Sequence, residues 1–161
     1  MTTRSVIHDT FTIERTYPAS PARVFAAFAS AEAKNAWGDT GDIEPAPGSG
    51  PGDTVFEFRV GGRERFSIVG QCTTYRYDAL YYDIVPDQRI IYSYEMYVND
   101  ARISVSVTTI EFAKTSDGTT LTYTEQGAFL DGIDGPEASE LRKGGTEEML
   151  DNLTGYLAAR G

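Results

Sequence analysis

Residues 89–98 read RIIYSYEMYV. Every second residue, Ile90, Tyr92, Tyr94 and Met96, is bulky with an apolar body. That strict period of two puts all four on one face of a β-strand. A tyrosine is apolar along its ring and polar at its tip, so this face suits a wall that is partly dry and partly wet.

Working outward from it, most of the middle of the chain carries the same signal. Asn99-Asp100 is a turn, and Ile103 to Phe112 is the next strand. That strand has a parity conflict, since Ile103, Val105 and Val107 share one face while Ile110 and Phe112 share the other. A β-bulge near Thr108 would reconcile them. Without it the Ile103-Val105-Val107 face lies outside, and pairing into a homodimer would cover it. Asp117-Gly118 is a hairpin turn, and Leu121 to Phe129 closes the series, with Leu121, Tyr123 and Glu125 on one face. In the other direction, Pro86-Asp87 separates residues 89–98 from a strand over Ala79 to Val85. Before it come strands over Phe66 to Tyr77 and Thr54 to Val60, with Gly61-Gly62 as the turn between those two.

The two ends of the chain change period. Gly135-Pro136 opens a helix in which Leu141, Gly145, Met149, Leu153 and Tyr156/Leu157 recur every three or four residues as one apolar face. Gly144-Gly145 costs such a helix roughly 2 kcal/mol relative to alanine. Either the helix breaks there or something approaches its backbone closely. At the other end, Thr10 to Tyr17 alternates as a strand with Phe11, Ile13 and Arg15 on one face. Ser20-Pro21 is a helix start, and Val24, Phe25 and Phe28 follow at helical spacing. A second short helix begins after Ser30 and ends at Trp37-Gly38. Residues 38–53, rich in glycine and holding Pro45, Pro47 and Pro51, form a loop that is either a lid or plain surface slack.

The predicted order is a strand, two short helices, about six antiparallel strands and one long helix, within a single domain over residues 1–161. A sheet with one apolar face needs a cover, and only the last helix is long enough to provide it. The gap between them is the expected pocket.

Composition narrows the function. The chain has 161 residues, 40% of them hydrophobic, with ten Tyr, eight Phe and one Trp. A formal net charge of −10 argues against nucleic acid and against anionic membranes as partners. No apolar run approaches the roughly 20 residues of a membrane span. Cys72 is the only cysteine, so no intrachain disulfide can form. It reads as a small buried residue, and with the lack of a signal peptide it points to the cytoplasm. His8 is the only histidine, so no metal site is expected, nor any cofactor.

The segments now in view resemble a known family. They are residues 13–25 (IERTYPASPARVF), 56–62 (FEFRVGG), 87–95 (DQRIIYSYE), 108–112 (TTIEF), 118–121 (GTTL) and 124–132 (TEQGAFLDG). In that order they resemble the SRPBCC superfamily, in the branch named after the C-terminal domain of the activator of heat-shock-protein-90 ATPase, often labelled polyketide-cyclase-like. The resemblance implies a START-like, helix-grip α+β fold, a curved antiparallel sheet of about six or seven strands wrapped on the C-terminal helix. Its members include binding proteins, lipid carriers and cyclases, so fold alone does not fix the activity. The chain departs from the family where Gly38 follows Trp37 and where Thr146 follows Gly144-Gly145. Relatives usually carry aromatics at these places, and their loss would open the pocket.

Among candidate site residues, Glu57 and Arg59 share a strand face. They are either an acid and a cation at the pocket wall or a surface ion pair, and inward-pointing Phe56 and Phe58 would decide for the latter. Glu125 would face the cavity if its strand face is concave, as a general acid or base or as a hydrogen-bonded structural acid. Tyr75, Tyr77, Tyr92, Tyr94 and Tyr123 could orient a ligand oxygen. Trp37 belongs at the pocket mouth, and Met96, Leu141, Gly145, Met149 and Leu153 form apolar wall. The leading expectation is binding of a small apolar or amphipathic molecule. A cyclase or dehydratase using Glu125 or Glu57 comes second. A stress-related co-chaperone comes third, with a chaperone partner disfavoured.

Overall fold

The computed structural model describes residues 3–38, 54–69 and 72–160. The loop expected at 38–53 therefore lies, after Gly38, outside the described residues. The elements are β1 (Val6–Tyr17), α1 (Pro21–Ala26), α2 (Ala31–Trp37), β2 (Val55–Phe56), β3 (Arg63–Val69), β4 (Thr74–Val85), β5 (Arg89–Val98), β6 (Ala101–Thr115), β7 (Gly118–Leu130) and α3 (Ala138–Ala159). The seven strands form one antiparallel sheet in the order β1-β7-β6-β5-β4-β3-β2. The first strand thus pairs with the last. This is an α+β helix-grip arrangement, with α3 against one face of the sheet.

Local chemistry explains the short helices. Ser20 Oγ accepts from the Arg23 N–H at 3.3 Å, with Pro21 at the first helical position. Ser30 Oγ accepts from the Ala33 N–H at 3.1 Å. Each hydroxyl satisfies a donor that the first helical turn leaves open. Phe25, Phe28 and Trp37 then close one end of the fold. Phe28 meets Trp37 at 4.9 Å and Phe112 at 5.7 Å between ring centroids, edge to face, and Trp37 Nε1 donates to the Ala27 carbonyl.

Several elements differ from expectation. The strand expected over Phe66 to Tyr77 is the end of β3 and the start of β4, paired so that Phe66 lies opposite Tyr77. Their rings stack at 4.8 Å, a cross-strand contact that a single strand could not make. The strand expected over Thr54 to Val60 is short. Beyond Phe56 the backbone curls so tightly that a Cβ on Gly62 would sit 2.1 Å from the Glu57 carbonyl oxygen. Gly61, at φ +81, supplies the left-handed turn.

The β6 bulge is at Ile103, not near Thr108. Met96 pairs with Ser104 and Tyr97 with Arg102, so Ile103 is the extra residue. From there the pairing with β7 is regular through Thr115. The inward residues are therefore Ser104, Ser106, Thr108, Ile110 and Phe112, all buried, while Val105 and Val107 face outward. Three inward hydroxyl residues defeat a hydrophobicity pattern: the burial of Ser104 and Ser106 is offset by Arg142 and Glu125, while Thr108 Oγ1 finds no partner among the described residues.

The helix α3 starts at Ala138 and runs unbroken through Gly144-Gly145. Among the described residues nothing lies within 4 Å of a Cβ built on either glycine, so neither expected consequence is realised. Its buried face is Ala138, Thr146, Leu150, Leu153 and Leu157. Leu141 is 65% exposed. The helix is anchored by Tyr17, whose hydroxyl donates to the Leu150 carbonyl at 2.7 Å. Arg15 adds bonds to Asp151 and Glu147. Cys72, expected to be buried, is exposed. Among the described residues, no helix is long and apolar enough to cross a membrane.

Candidate functional site

The concave face is a grid set by strand register. One row across β3 to β7 is Phe66, Tyr77, Met96, Ser104 and Phe129. The next is Glu64, Ala79, Tyr94, Ser106 and Gly127, and a third, from β4, is Tyr81, Tyr92, Thr108 and Glu125. Between this face, α2 and α3 lies a cavity of 220 Å³. Its wall is mostly aromatic and aliphatic. Its polar atoms come from Lys34, Asn35, Glu64, the tyrosines, Arg142 and Thr146.

Two carboxylates sit in matched clusters. Glu64 accepts from Lys34 Nζ at 2.9 Å and 2.8 Å through its two oxygens, and from the Tyr81 hydroxyl at 2.7 Å. Glu125 accepts from the Tyr94 hydroxyl at 2.7 Å and from Ser106 Oγ at 3.0 Å. Arg142 Nη1 stands 3.4 Å from Glu125 and donates to the Tyr94 hydroxyl at 2.8 Å, while Nη2 donates to Ser104 Oγ at 2.9 Å. The guanidinium also lies over the Tyr94 and Phe129 rings. Burial works against its charge, but Tyr94 and Glu125 outweigh burial and raise its pKa.

The tyrosines are neutral donors. Burial pushes the hydroxyl pKa values of Tyr77, Tyr92 and Tyr94 well above the ordinary phenol range. It does the same for Tyr81, where Glu64 adds to it, and for Tyr123. The Tyr92 and Tyr123 hydroxyls meet at 3.2 Å. Among the described residues the Tyr77 hydroxyl makes no hydrogen bond.

Of the positions singled out from the sequence, Trp37, Tyr77, Tyr92, Tyr94, Met96, Tyr123 and Met149 line the cavity. Glu125 is 1% exposed and lies behind the wall, both oxygens taken. Leu153 is core. Tyr75 and Leu141 face solvent, Gly145 is exposed, and none of the three lines the cavity. Glu57 and Arg59 form an exposed ion pair at 3.1 Å, while Phe58 packs on Phe25 and Tyr81 and lines the cavity.

Sequence reasoning missed Lys34, Glu64, Arg142 and Thr146. Three of them carried a signal. Stepping back by two from Phe66 gives Glu64. Phasing the last helix on Leu150, Leu153 and Leu157 puts Thr146 and Arg142 on the same stripe. Lys34, alone on a short helix, carried none. Among the described residues no three His, Cys, Asp or Glu side chains are placed to hold a metal ion.

A curved antiparallel sheet gripping a C-terminal helix over a lined cavity defines a helix-grip fold, of a kind that is commonly a ligand-binding domain. The chain belongs to the family described as activator of Hsp90 ATPase homolog 1-like protein, which it matches over residues 18–158. It is similar to an uncharacterised protein from Rhizobium leguminosarum, at 42% identity and a TM-score of 0.86, covering 98% of this chain and 99% of that one. It is also similar to protein Mll3558 from Rhizobium loti, at 46% identity and a TM-score of 0.83, covering 94% and 99%. Protein CV1439 from Chromobacterium violaceum is more distant, at 26% identity and a TM-score of 0.66, covering 92% and 96%. No curated protein matches the chain.

Proposed function

We propose that the protein binds a small apolar or amphipathic molecule in the cavity between the sheet and α3. The observation that supports this most directly is the wall itself, aromatic rings with a few converging polar groups, the usual make-up of a small-molecule site. Aromatic side chains supply contact area, and the hydroxyls of Tyr77, Tyr92 and Tyr123 offer hydrogen bonds to a ligand oxygen. We place this activity in the cytoplasm, where an exposed Cys72 thiol stays reduced.

Thermal unfolding with a panel of apolar and amphipathic compounds tests the reading. A ligand held at 100 times its Kd adds about 2.7 kcal/mol of stability, which is several degrees in Tm for a domain of this size. A broad panel that leaves Tm unchanged overturns it.

A second reading, acid–base turnover of the bound molecule, is favoured by one observation. Glu64, with Lys34 and Tyr81 around it, lines the cavity, whereas Glu125 does not. On that reading E64Q abolishes turnover and keeps binding. Turnover that survives E64Q removes this carboxylate from the mechanism.

A further inference from the structure

Among the described residues, each charged group at the cavity wall has an opposite partner. Two cations, Lys34 and Arg142, reach it, and each is paired with one carboxylate, Glu64 and Glu125. Asp134 acts on Arg142 as well. Both oxygens of both carboxylates are already accepting hydrogen bonds. Among the described residues, an anion entering the cavity finds no unmatched cation, and a cation finds no carboxylate oxygen without a donor. Either ion would leave its hydration shell without an equivalent replacement.

The donors point the same way. The phenolic hydroxyls stay protonated, so they can donate to a neutral oxygen. Tyr77 lines the cavity with its ring stacked between Phe66 and Tyr94 at 4.8 Å and 5.0 Å, its hydroxyl unclaimed among the described residues. The cavity volume of 220 Å³ is about one and a half times that of a cavity that takes benzene, so its enclosed part holds about ten non-hydrogen atoms.

We propose that the cavity selects an uncharged molecule of this size bearing a carbonyl or hydroxyl oxygen, and discriminates against carboxylates and amines of the same shape. This rests on the binding reading above. It adds that selectivity comes from two matched ion pairs, with the Tyr77 hydroxyl recognising the oxygen.

Four probes of nearly one shape, each of nine or ten non-hydrogen atoms, test it by calorimetry at neutral pH: 4-methylacetophenone, 4-ethyltoluene, 4-methylbenzoate and 4-methylbenzylammonium. The ketone is expected to bind at least tenfold more tightly than either ion and several-fold more tightly than the hydrocarbon. Y77F removes the advantage over the hydrocarbon. E125Q frees Arg142 and E64Q frees Lys34, so each raises the affinity for 4-methylbenzoate at least tenfold relative to the ketone. The two variants lie at opposite ends of the cavity, so a folding defect in one leaves the other to decide. An ion that binds as tightly as the ketone overturns the inference and leaves the binding reading standing. So does a charge preference unchanged in whichever of the two variants folds. If all four probes fail while longer apolar probes raise Tm, again only this inference is lost. If those fail too, the binding reading goes with it.

Discussion

The two ends of the cavity are built from the same parts and differ in how far water reaches them. Each has a carboxylate, a tyrosine that donates to it at 2.7 Å, and a cation. At the α2 end the cation is Lys34, with its side chain 22% exposed, and it grips both oxygens of Glu64 at short range. At the α3 end Arg142 is held by Tyr94 and Ser104 and stands farther from a Glu125 that is 1% exposed. The deep acid relies on neutral hydroxyls, from Tyr94 and Ser106, and the shallower acid on direct charge contact. A hydroxyl donor suits the drier end, since it carries no charge that itself must be desolvated.

High pH breaks both ends at once and is the largest expected effect. In the unfolded chain a tyrosine ionises near pH 10. In the fold Tyr77, Tyr81, Tyr92, Tyr94 and Tyr123 are held protonated, first of all by burial. The native state therefore binds more protons above that pH. The stability these groups contribute is full below about pH 10 and falls above it by about 1.4 kcal/mol per tyrosine per pH unit. For five such groups, loss of the circular dichroism signal should come within about one unit above pH 10, and tyrosinate absorbance should reach the value for all ten tyrosines only as the fold is lost. The full ten-tyrosine absorbance in a folded protein would contradict this.

Separate substitutions sharpen the comparison. R142M leaves Glu125 buried without a cation, and urea unfolding should show a loss of about 3–5 kcal/mol. K34M leaves Glu64 with Tyr81 at an end water can reach. The loss there should be smaller, about 1–3 kcal/mol. Equal losses would mean that the depth of the two acids does not matter. The smallest effect is that of E57Q. Its exposed partner Arg59 lies outside the cavity, so Tm and ligand affinity should both stay at the wild-type value.

How much of this was legible in the sequence varies by element. The face of β5 was read correctly, since Ile90, Tyr92 and Tyr94 are all buried and alternation is a local property. The neighbouring β6 left two readings open, and the structure takes the one without a bulge near Thr108, with Val105 and Val107 outward and hydroxyl residues inward. Ser104 and Ser106 are buried because Arg142 and Glu125, from α3 and β7, bond their hydroxyls. That partnership spans many residues and leaves no local pattern. The same holds for α3. Leu141 belongs by composition to an apolar stripe, but the helix is rolled so that the next residue, Arg142, turns inward to Tyr94 and Glu125.

The sequence by itself determined the order of elements, the caps at Ser20 and Ser30, the turns at Gly61-Gly62, Pro86-Asp87, Asn99-Asp100 and Asp117-Gly118, and the aromatic face of β5. Each of these follows from periodicity or from one residue's backbone preference. It also carried, through an ordered set of segments, the resemblance to the family. Only the tertiary structure decided which acid lines the cavity, which lies sealed behind it, and which cations match them. A buried charge or hydroxyl is tolerable only where a partner meets it, and these partners come from different strands and helices.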